Sequence, residues 1–174
     1  GGDLFRRPIV FSVKGGDGME ETFEQVYAAC GEMLYRLAAL YLGSAGEAED
    51  VLQDVFVKLL SRRRTFQNEE HRKRWLIRVT VNLCKDHLRS ARRRETVPLE
   101  ERDLVGREED REILSLILGM PEIYRAAVHL HYYEGYSVEE IGKILGLSVS
   151  AVKMRLKRGR EYLRLEMEDG NGHS

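Results

Sequence analysis

A chain of 174 residues, 43% hydrophobic and 33% charged, has the composition of a helical protein in one domain or two small ones. No apolar run approaches the ~20 residues of a bilayer span and no signal peptide is evident, so membrane insertion is excluded and a cytoplasmic location is expected. Cys30 and Cys84 lie far apart and outside any Cys-x-x-Cys pattern, which excludes a disulfide scaffold and a zinc module; both fall on apolar stripes and are expected as buried, reduced thiols.

Residues 1–18 hold glycine pairs, lack a helical period and carry the short patch Ile9-Val10-Phe11, so a flexible leader is expected there. In residues 20–42, Phe23, Tyr27, Cys30, Leu34, Leu37 and Tyr41 recur every three or four positions, which predicts a helix with these side chains inward, stopped by Gly43. Ser44-Ala45-Gly46-Glu47 has the Ser-x-x-Glu form of a capping box. The helix it opens runs to about residue 60, with Val51, Leu52, Val55, Phe56 and Leu59 inward and Glu49, Asp50, Gln53, Asp54 and Lys58 outward.

Residues 62–70 break the period and place Thr65, Phe66, Gln67 and Asn68 in a polar and aromatic loop. Residues 71–94 resume it, with Trp75, Leu76, Val79, Leu83 and Leu88 as the packed stripe. Arg72, Lys73, Arg74, Arg78, Lys85, Arg89, Arg92, Arg93 and Arg94 make the rest of that helix basic. Residues 95–107, with Pro98, several acids and Gly106, read as a linker.

A short helix over 108–118, with Ile113, Leu114, Ile117 and Leu118 inward, ends at Gly119, and Pro121 opens the next, which carries Ile123, Ala127 and Leu130 toward Gly135. Ser137-Val138-Glu139-Glu140 is a second capping box, ahead of a stripe of Ile141, Ile144 and Leu145 that Gly146 can end in the left-handed conformation. Ser148 caps a further helix, on which Val149, Val152, Leu156 and Leu163 follow helical spacing, and residues 169–174 form a polar tail. No strand pattern stands out. The expected fold is all-α: two small helical domains, residues 19–94 and 108–168, joined by the linker, the C-terminal one containing a helix-turn-helix.

The net charge of −1 hides a block structure. Residues 17–54 hold nine acidic and one basic side chain, 58–94 thirteen basic and three acidic, 95–122 nine acidic and three basic, and 151–164 six basic and one acidic. Polyanion binding depends on local Lys and Arg density, so the two basic blocks predict two phosphate-facing surfaces. The second coincides with the last helix of the helix-turn-helix, the arrangement of a major-groove reader; the alternative is a helix pair with a solvated basic face. No nucleophile, phosphate loop or carboxylate pair has supporting partners, and His129 and His131, two apart, do not form a metal pair. Neither catalysis nor a cofactor or metal is expected.

In this order and spacing the chain resembles the extracytoplasmic-function (ECF) sigma factors of the sigma-70 family, which join a region 2 domain to a region 4 domain. Ala48-Glu49-Asp50-Val51-Leu52-Gln53-Asp54-Val55-Phe56 is similar to the core-polymerase-binding helix of region 2. Trp75-Leu76-Ile77-Arg78-Val79-Thr80-Val81-Asn82-Leu83, followed by Asp86, Leu88 and Arg89, is similar to its promoter-binding helix. Met120-Pro121-Glu122, Tyr132-Tyr133-Glu134-Gly135-Tyr136-Ser137 and Val152-Lys153-Met154-Arg155-Leu156 with Arg158 are similar to region 4. Gly142, Ala151 and Met154 depart from the Ala, Thr and Ser usual at those places, which bears on the base preference of the last helix.

The resemblance implies a promoter-specificity subunit that binds core RNA polymerase, through the clamp and flap of its large subunits, recognises −10 and −35 promoter DNA and helps open it, and it implies an anti-sigma partner. Asp50, Gln53 and Asp54 would face the polymerase clamp. Ser150, Lys153, Met154, Lys157 and Arg158 would read −35 base edges, with Arg155, Arg160 and Arg164 on phosphates or in internal ion pairs. Arg78, Asn82, Lys85, Arg89, Arg92 and Arg93 would lie on the −10 element. The loop with Phe66, Gln67 and Asn68 stands where the family captures a flipped base, although Phe66 reads equally as a core anchor, and Trp75 reads as core. The competing readings are a stand-alone helix-turn-helix regulator, disfavoured by a helical and basic N-terminal half, and an RNA-processing helper, which has only the charge blocks behind it.

Overall fold

The first helix forms where the sequence supplies both a cap and an apolar stripe. In the computed structural model, which describes residues 10–12, 20–61, 66–90, 97–103 and 108–171, α1 (Phe23–Leu42) starts on a capping box. The Thr22 hydroxyl accepts from the Gln25 N–H while the Gln25 side chain accepts from the Thr22 N–H. Gly43 ends it at φ 68°, a left-handed value that glycine adopts without strain, and donates its N–H to the Ala39 carbonyl. In α2 (Ala45–Ser61), the Ser44 hydroxyl accepts from the Glu47 N–H at 3.3 Å. α3 (Glu69–Arg89) begins two residues before the expected 71, because Asn68 supplies a cap whose side-chain oxygen accepts from the His71 N–H at 2.7 Å.

These three helices bury Leu34, Leu37, Val51, Val55, Leu59, Leu76, Ile77 and Val81 between them. Cys30 and Cys84 are buried there too, as their stripe positions predict. One strand pair accompanies the helices: β1 (Val10–Ser12) pairs antiparallel with β2 (Glu20–Thr22), Val10 opposite Thr22. Val10 and Phe11, read from sequence as part of a leader, suit an extended strand, and partners as far on as Glu21 and Thr22 are invisible to a periodicity search. The rest of that leader lies outside the described residues.

The C-terminal domain comprises α4 (Arg111–Gly119), α5 (Glu122–Val128), α6 (Val138–Leu145) and α7 (Val149–Asn171). Pro121 stands one place before α5, and α5 runs on into a wider helical turn over His129–Tyr133. The Ser137 capping box forms with both bonds made, Gly146 takes φ 67°, and the Ser148 hydroxyl accepts from the Ala151 N–H at 3.1 Å. The helix-turn-helix is therefore built as its punctuation predicts. α7 continues helical through Asn171, past the 169 at which a tail was expected, since nothing before Gly170 interrupts it.

Several stripe assignments change. Tyr27, Leu88 and Val149, expected inward, are exposed: Tyr27 covers Phe56 from outside at 4.9 Å between ring centroids, and Leu88 and Val149 sit near helix ends where the neighbouring element no longer reaches. Arg72, expected on the basic outer face, is buried. The two domains touch along two seams, α1 against α5 and α3 against α6, and Leu99 of the connecting segment donates its N–H to the Gly43 carbonyl at 2.9 Å.

Candidate nucleic-acid interface

On α7, Ser150, Lys153, Lys157 and Arg158 are exposed, and so is Met154, at 61%. Val152, Leu156 and Gly159 face inward, so the amphipathic split places the basic side chains together on the outer surface. Arg155 is turned differently: its guanidinium donates to the Ile123 carbonyl at 3.2 Å and ties α7 to α5. Arg160 likewise donates to the Tyr132 hydroxyl at 2.9 Å. Geometry separates four polar or basic groups and one methionine open to a ligand from two arginines already used within the domain.

On α3, Arg78, Asn82, Lys85 and Arg89 recur at helical spacing and share one face. Arg78, Asn82 and Arg89 are exposed, whereas Lys85 is half-buried and donates to the Leu145 carbonyl at the end of α6. Burial chiefly, with the nearby charges of Arg89 and Arg155, lowers the Lys85 pKa. Arg92 and Arg93 lie outside the described residues. Phe66 is 1% exposed, its ring packed 5.6 Å from those of Trp75 and His71, so it anchors the chain on the core and offers no free face for a base. Asn68 spends its oxygen on the α3 cap. In this structure the aromatic closes the core where α3 begins, the core-anchor alternative of the sequence reading, and the amide oxygen holds that first turn. Trp75 is half-buried against the core, as its stripe position implies.

The acidic face of α2 is open: Glu49, Asp50, Gln53 and Asp54 are all exposed. Beside them a groove of about 590 Å³ runs between α1 and α2, lined by Tyr27, Gly31, Glu32, Tyr35, Leu52 and Gln53. An acidic ridge beside an aromatic groove is a shape for a protein partner and not for a polyanion. Sequence reasoning found the acids but missed the groove, because Tyr27 was indistinguishable from a core aromatic by spacing alone.

Three comparisons bear on what this pairing of surfaces is. Residues 26–94 match the Sigma-70 region 2 family and residues 110–163 match Sigma-70, region 4. The chain is 30% identical to the ECF RNA polymerase sigma factor SigX of Bacillus subtilis over 86% of each chain. The chain belongs to the ECF sigma factor family. It is also 29% identical to the ECF sigma factor SigW of the same organism, over 96% of this chain and 99% of that one. The fold matches that of the sigma factor RpoE, solved in complex with the anti-sigma factor NepR from Bartonella quintana, at a TM-score of 0.65 and 21% identity, covering 84% of this chain and 96% of that one. In family terms, α3 carries the basic stripe of region 2, the Asp50 ridge is the outer face of its second helix, and α6 and α7 are the helix-turn-helix of region 4.

Among the described residues no helix is long and apolar enough to cross a membrane, and no group of three or more His, Cys, Asp and Glu side chains gathers as a metal site. His129 instead sits fully buried beside Glu134, and the ring of His131 contacts the Tyr136 carbonyl at 2.8 Å.

Proposed function

We propose that this ECF sigma factor docks on core RNA polymerase through Asp50, Gln53 and Asp54 and reads −35 DNA with Ser150, Lys153, Met154, Lys157 and Arg158. Arg78, Asn82, Lys85 and Arg89, with Arg92 and Arg93, engage the −10 element. The observation that carries this reading is the separation of sign: an open acidic ridge on α2, and basic side chains gathered on the outer faces of α3 and α7. Residues 19–94 and 108–168 are the two functional units, with 95–107 between them. Arg155 and Arg160 hold α7 in place and contribute to DNA binding indirectly, if at all.

In this reading the polymerase supplies the chemistry and this chain the promoter specificity, and its place of action is the cytoplasm where polymerase and promoter meet. An anti-sigma factor is the expected inhibitor; the aromatic groove beside Gln53 gives such a protein an apolar seat on region 2. The test is run-off transcription with purified core polymerase: addition of the protein yields a discrete promoter-dependent start. Core that gains no such start refutes the assignment, and DNA binding without one returns the chain to the class of stand-alone regulators.

A further inference from the structure

A cleft of about 260 Å³ lies between α3 and α6. Its α3 wall carries Trp75, half-buried, with the Phe66 ring packed against the indole at 5.6 Å between centroids. Its α6 wall carries Ile144, which is buried. An indole on one wall and an aliphatic side chain on the other make a slot for a flat ring, because every aromatic ligand has a face that stacks.

The charged side chains around this slot divide into two sets. Arg74 is engaged: its guanidinium donates to Glu70 at 3.3 Å and to Glu140. Glu140 is engaged in turn, since one oxygen takes that bond and the other accepts the Ser137 N–H at 2.9 Å. The acid of the cleft is thus already matched by a cation. Arg78 and Lys143 are different: both line the cleft, both are exposed, and neither is in an ion pair among the described residues. The two helices run in the same sense here, Arg74 beside Glu140 and Lys85 beside Leu145. Arg78 is one turn beyond Arg74 and Lys143 one turn beyond Glu140, so the two free cations stand at the same end. At the opposite end His71 accepts the Gln67 N–H on Nδ1 at 3.1 Å, which leaves the proton of the neutral ring on Nε2 as a donor.

A ring slot with two cations converging at one end matches a phosphate joined to a base. An uncharged aromatic would leave Arg78 and Lys143 unused, and an inorganic anion would leave Trp75 and Ile144 unused. The volume falls just below the ~300–1,000 Å³ of ordinary ligand pockets, which suits one nucleotide unit and not two. We propose that the cleft between α3 and α6 binds a nucleoside monophosphate, its base between Trp75 and Ile144 and its phosphate held jointly by Arg78 and Lys143. The site goes beyond promoter recognition, because half of it belongs to α6, and Lys143 is not among the DNA readers of α3 or α7. Arg78 is shared with the −10 assignment, and a promoter strand offers the same phosphate-and-base chemistry, so Lys143 is the residue that tells the two sources apart.

Trp75 is the one tryptophan of the chain, so the fluorescence of the full-length protein reports the slot directly. The probes are adenosine 5′-monophosphate, adenosine, and a short single-stranded DNA, with inorganic phosphate followed by calorimetry because it does not stack. The monophosphate is expected to quench saturably and to bind at least tenfold more tightly than adenosine or phosphate, each of which fills half of the site. Arg78→Ala and Lys143→Ala should each weaken it about tenfold, the loss of one charge-assisted contact. Both side chains are exposed, so both variants should keep the circular dichroism and melting temperature of the parent.

Absence of a saturable quench overturns the site, and so does binding that both variants retain. A loss in Arg78→Ala with none in Lys143→Ala puts the ligand along α3 alone, where a promoter strand would lie, and overturns the cleft. The DNA strand should need Arg78 and be indifferent to Lys143; equal dependence on both means that the cleft takes a strand and not a free nucleotide, which also overturns the proposal. Run-off transcription with Lys143→Ala should keep the promoter-dependent start whichever way the titrations fall, so failure of this site and failure of the promoter assignment are read separately.

Discussion

Gly159 is where the recognition helix of region 4 rests on its neighbour, and Gly159→Ala measures how tight that rest is. A Cβ at this position would stand 2.4 Å from Val128 Cγ2, with Met120 Sδ and Tyr124 Cβ each at 3.9 Å. Carbon atoms in contact sit ~3.5–4.0 Å apart, so the new methyl overlaps Val128 by about 1 Å. Val128 is fully buried on α5 and β-branched, so it has no free rotamer to yield into. Alanine gains ~1 kcal/mol over glycine in a helix interior, whereas overpacking a filled core costs ~1–3 kcal/mol. The stiff partner places the cost in the upper half of that range, for a net loss of ~1–2 kcal/mol. Each kcal/mol lowers the melting temperature of a chain of this size by ~2–4 °C. Urea unfolding followed by circular dichroism reads it as a lower midpoint at constant slope. Val128→Ala makes room for the methyl, so the double variant should be less destabilised than the sum of the two by about 1 kcal/mol. A Gly159→Ala protein stabilised by its helix propensity, or strictly additive effects, would refute the close approach of α7 to α5.

Replacing Asp50 and Asp54 together with Ala should abolish co-purification with core polymerase while leaving the unfolding midpoint within experimental error, since both carboxylates are exposed; retained binding would move the docking face elsewhere. Ser137→Ala removes the oxygen that accepts the Glu140 N–H at 3.2 Å and should cost ~1 kcal/mol of stability in the same urea experiment. Acidification should weaken the seam around His129, which faces Arg36, Tyr133 and Glu134. Burial outweighs the Glu134 carboxylate in lowering the His129 pKa, so the folded state takes up its proton less readily than the unfolded chain. The resulting stability is complete above the ordinary histidine value of about 6.5 and is lost as pH falls below it, so the midpoint should drop as the solution is acidified below about pH 6.5, and His129→Gln should flatten that drop.

The elements that could be read from sequence were those with punctuation of their own. Ser137 and Glu140, Gly146 and Ser148 define the helix-turn-helix because caps and left-handed glycines act within a few residues, and each forms as written. The acidic ridge on α2 and the exposed basic side chains on α7 followed from amphipathic spacing for the same reason. Features that depend on what lies opposite in space were hidden. Phe66 was left open between base capture and core anchoring, and nothing nearby in sequence says that Trp75 packs against its ring or that the Asn68 oxygen caps α3. Arg72, Arg36 and Lys85 are ordinary surface cations by composition, and only the approach of a distant helix buries them. Likewise the roles of Arg155 and Arg160 were left between phosphate contact and internal pairing, which spacing along one helix cannot resolve; without DNA they bond to the Ile123 carbonyl and the Tyr132 hydroxyl.

That distinction carries into salt dependence. Counting residues 151–164 gives six basic side chains, which would release about five counterions' worth of slope, since log K falls with log salt by about 0.9 for each neutralised phosphate. Arg155 and Arg160 are tied to carbonyl and hydroxyl oxygens within region 4, and Arg164 also has a partner in the structure. Lys153, Lys157 and Arg158 remain as exposed cations on the reading surface. Binding of a −35 duplex to the full chain should therefore follow a slope of about −3, and less if one of the three spends itself on a base edge instead of a phosphate. Titration by fluorescence anisotropy across a series of salt concentrations gives the slope directly. A value near −5 would mean that Arg155 and Arg160 let go of α5 and the Tyr132 hydroxyl when DNA arrives, leaving α7 to keep to its domain through the burial of Val152, Leu156 and Gly159 and the hydrogen bond from the Tyr162 hydroxyl to the Gly119 carbonyl.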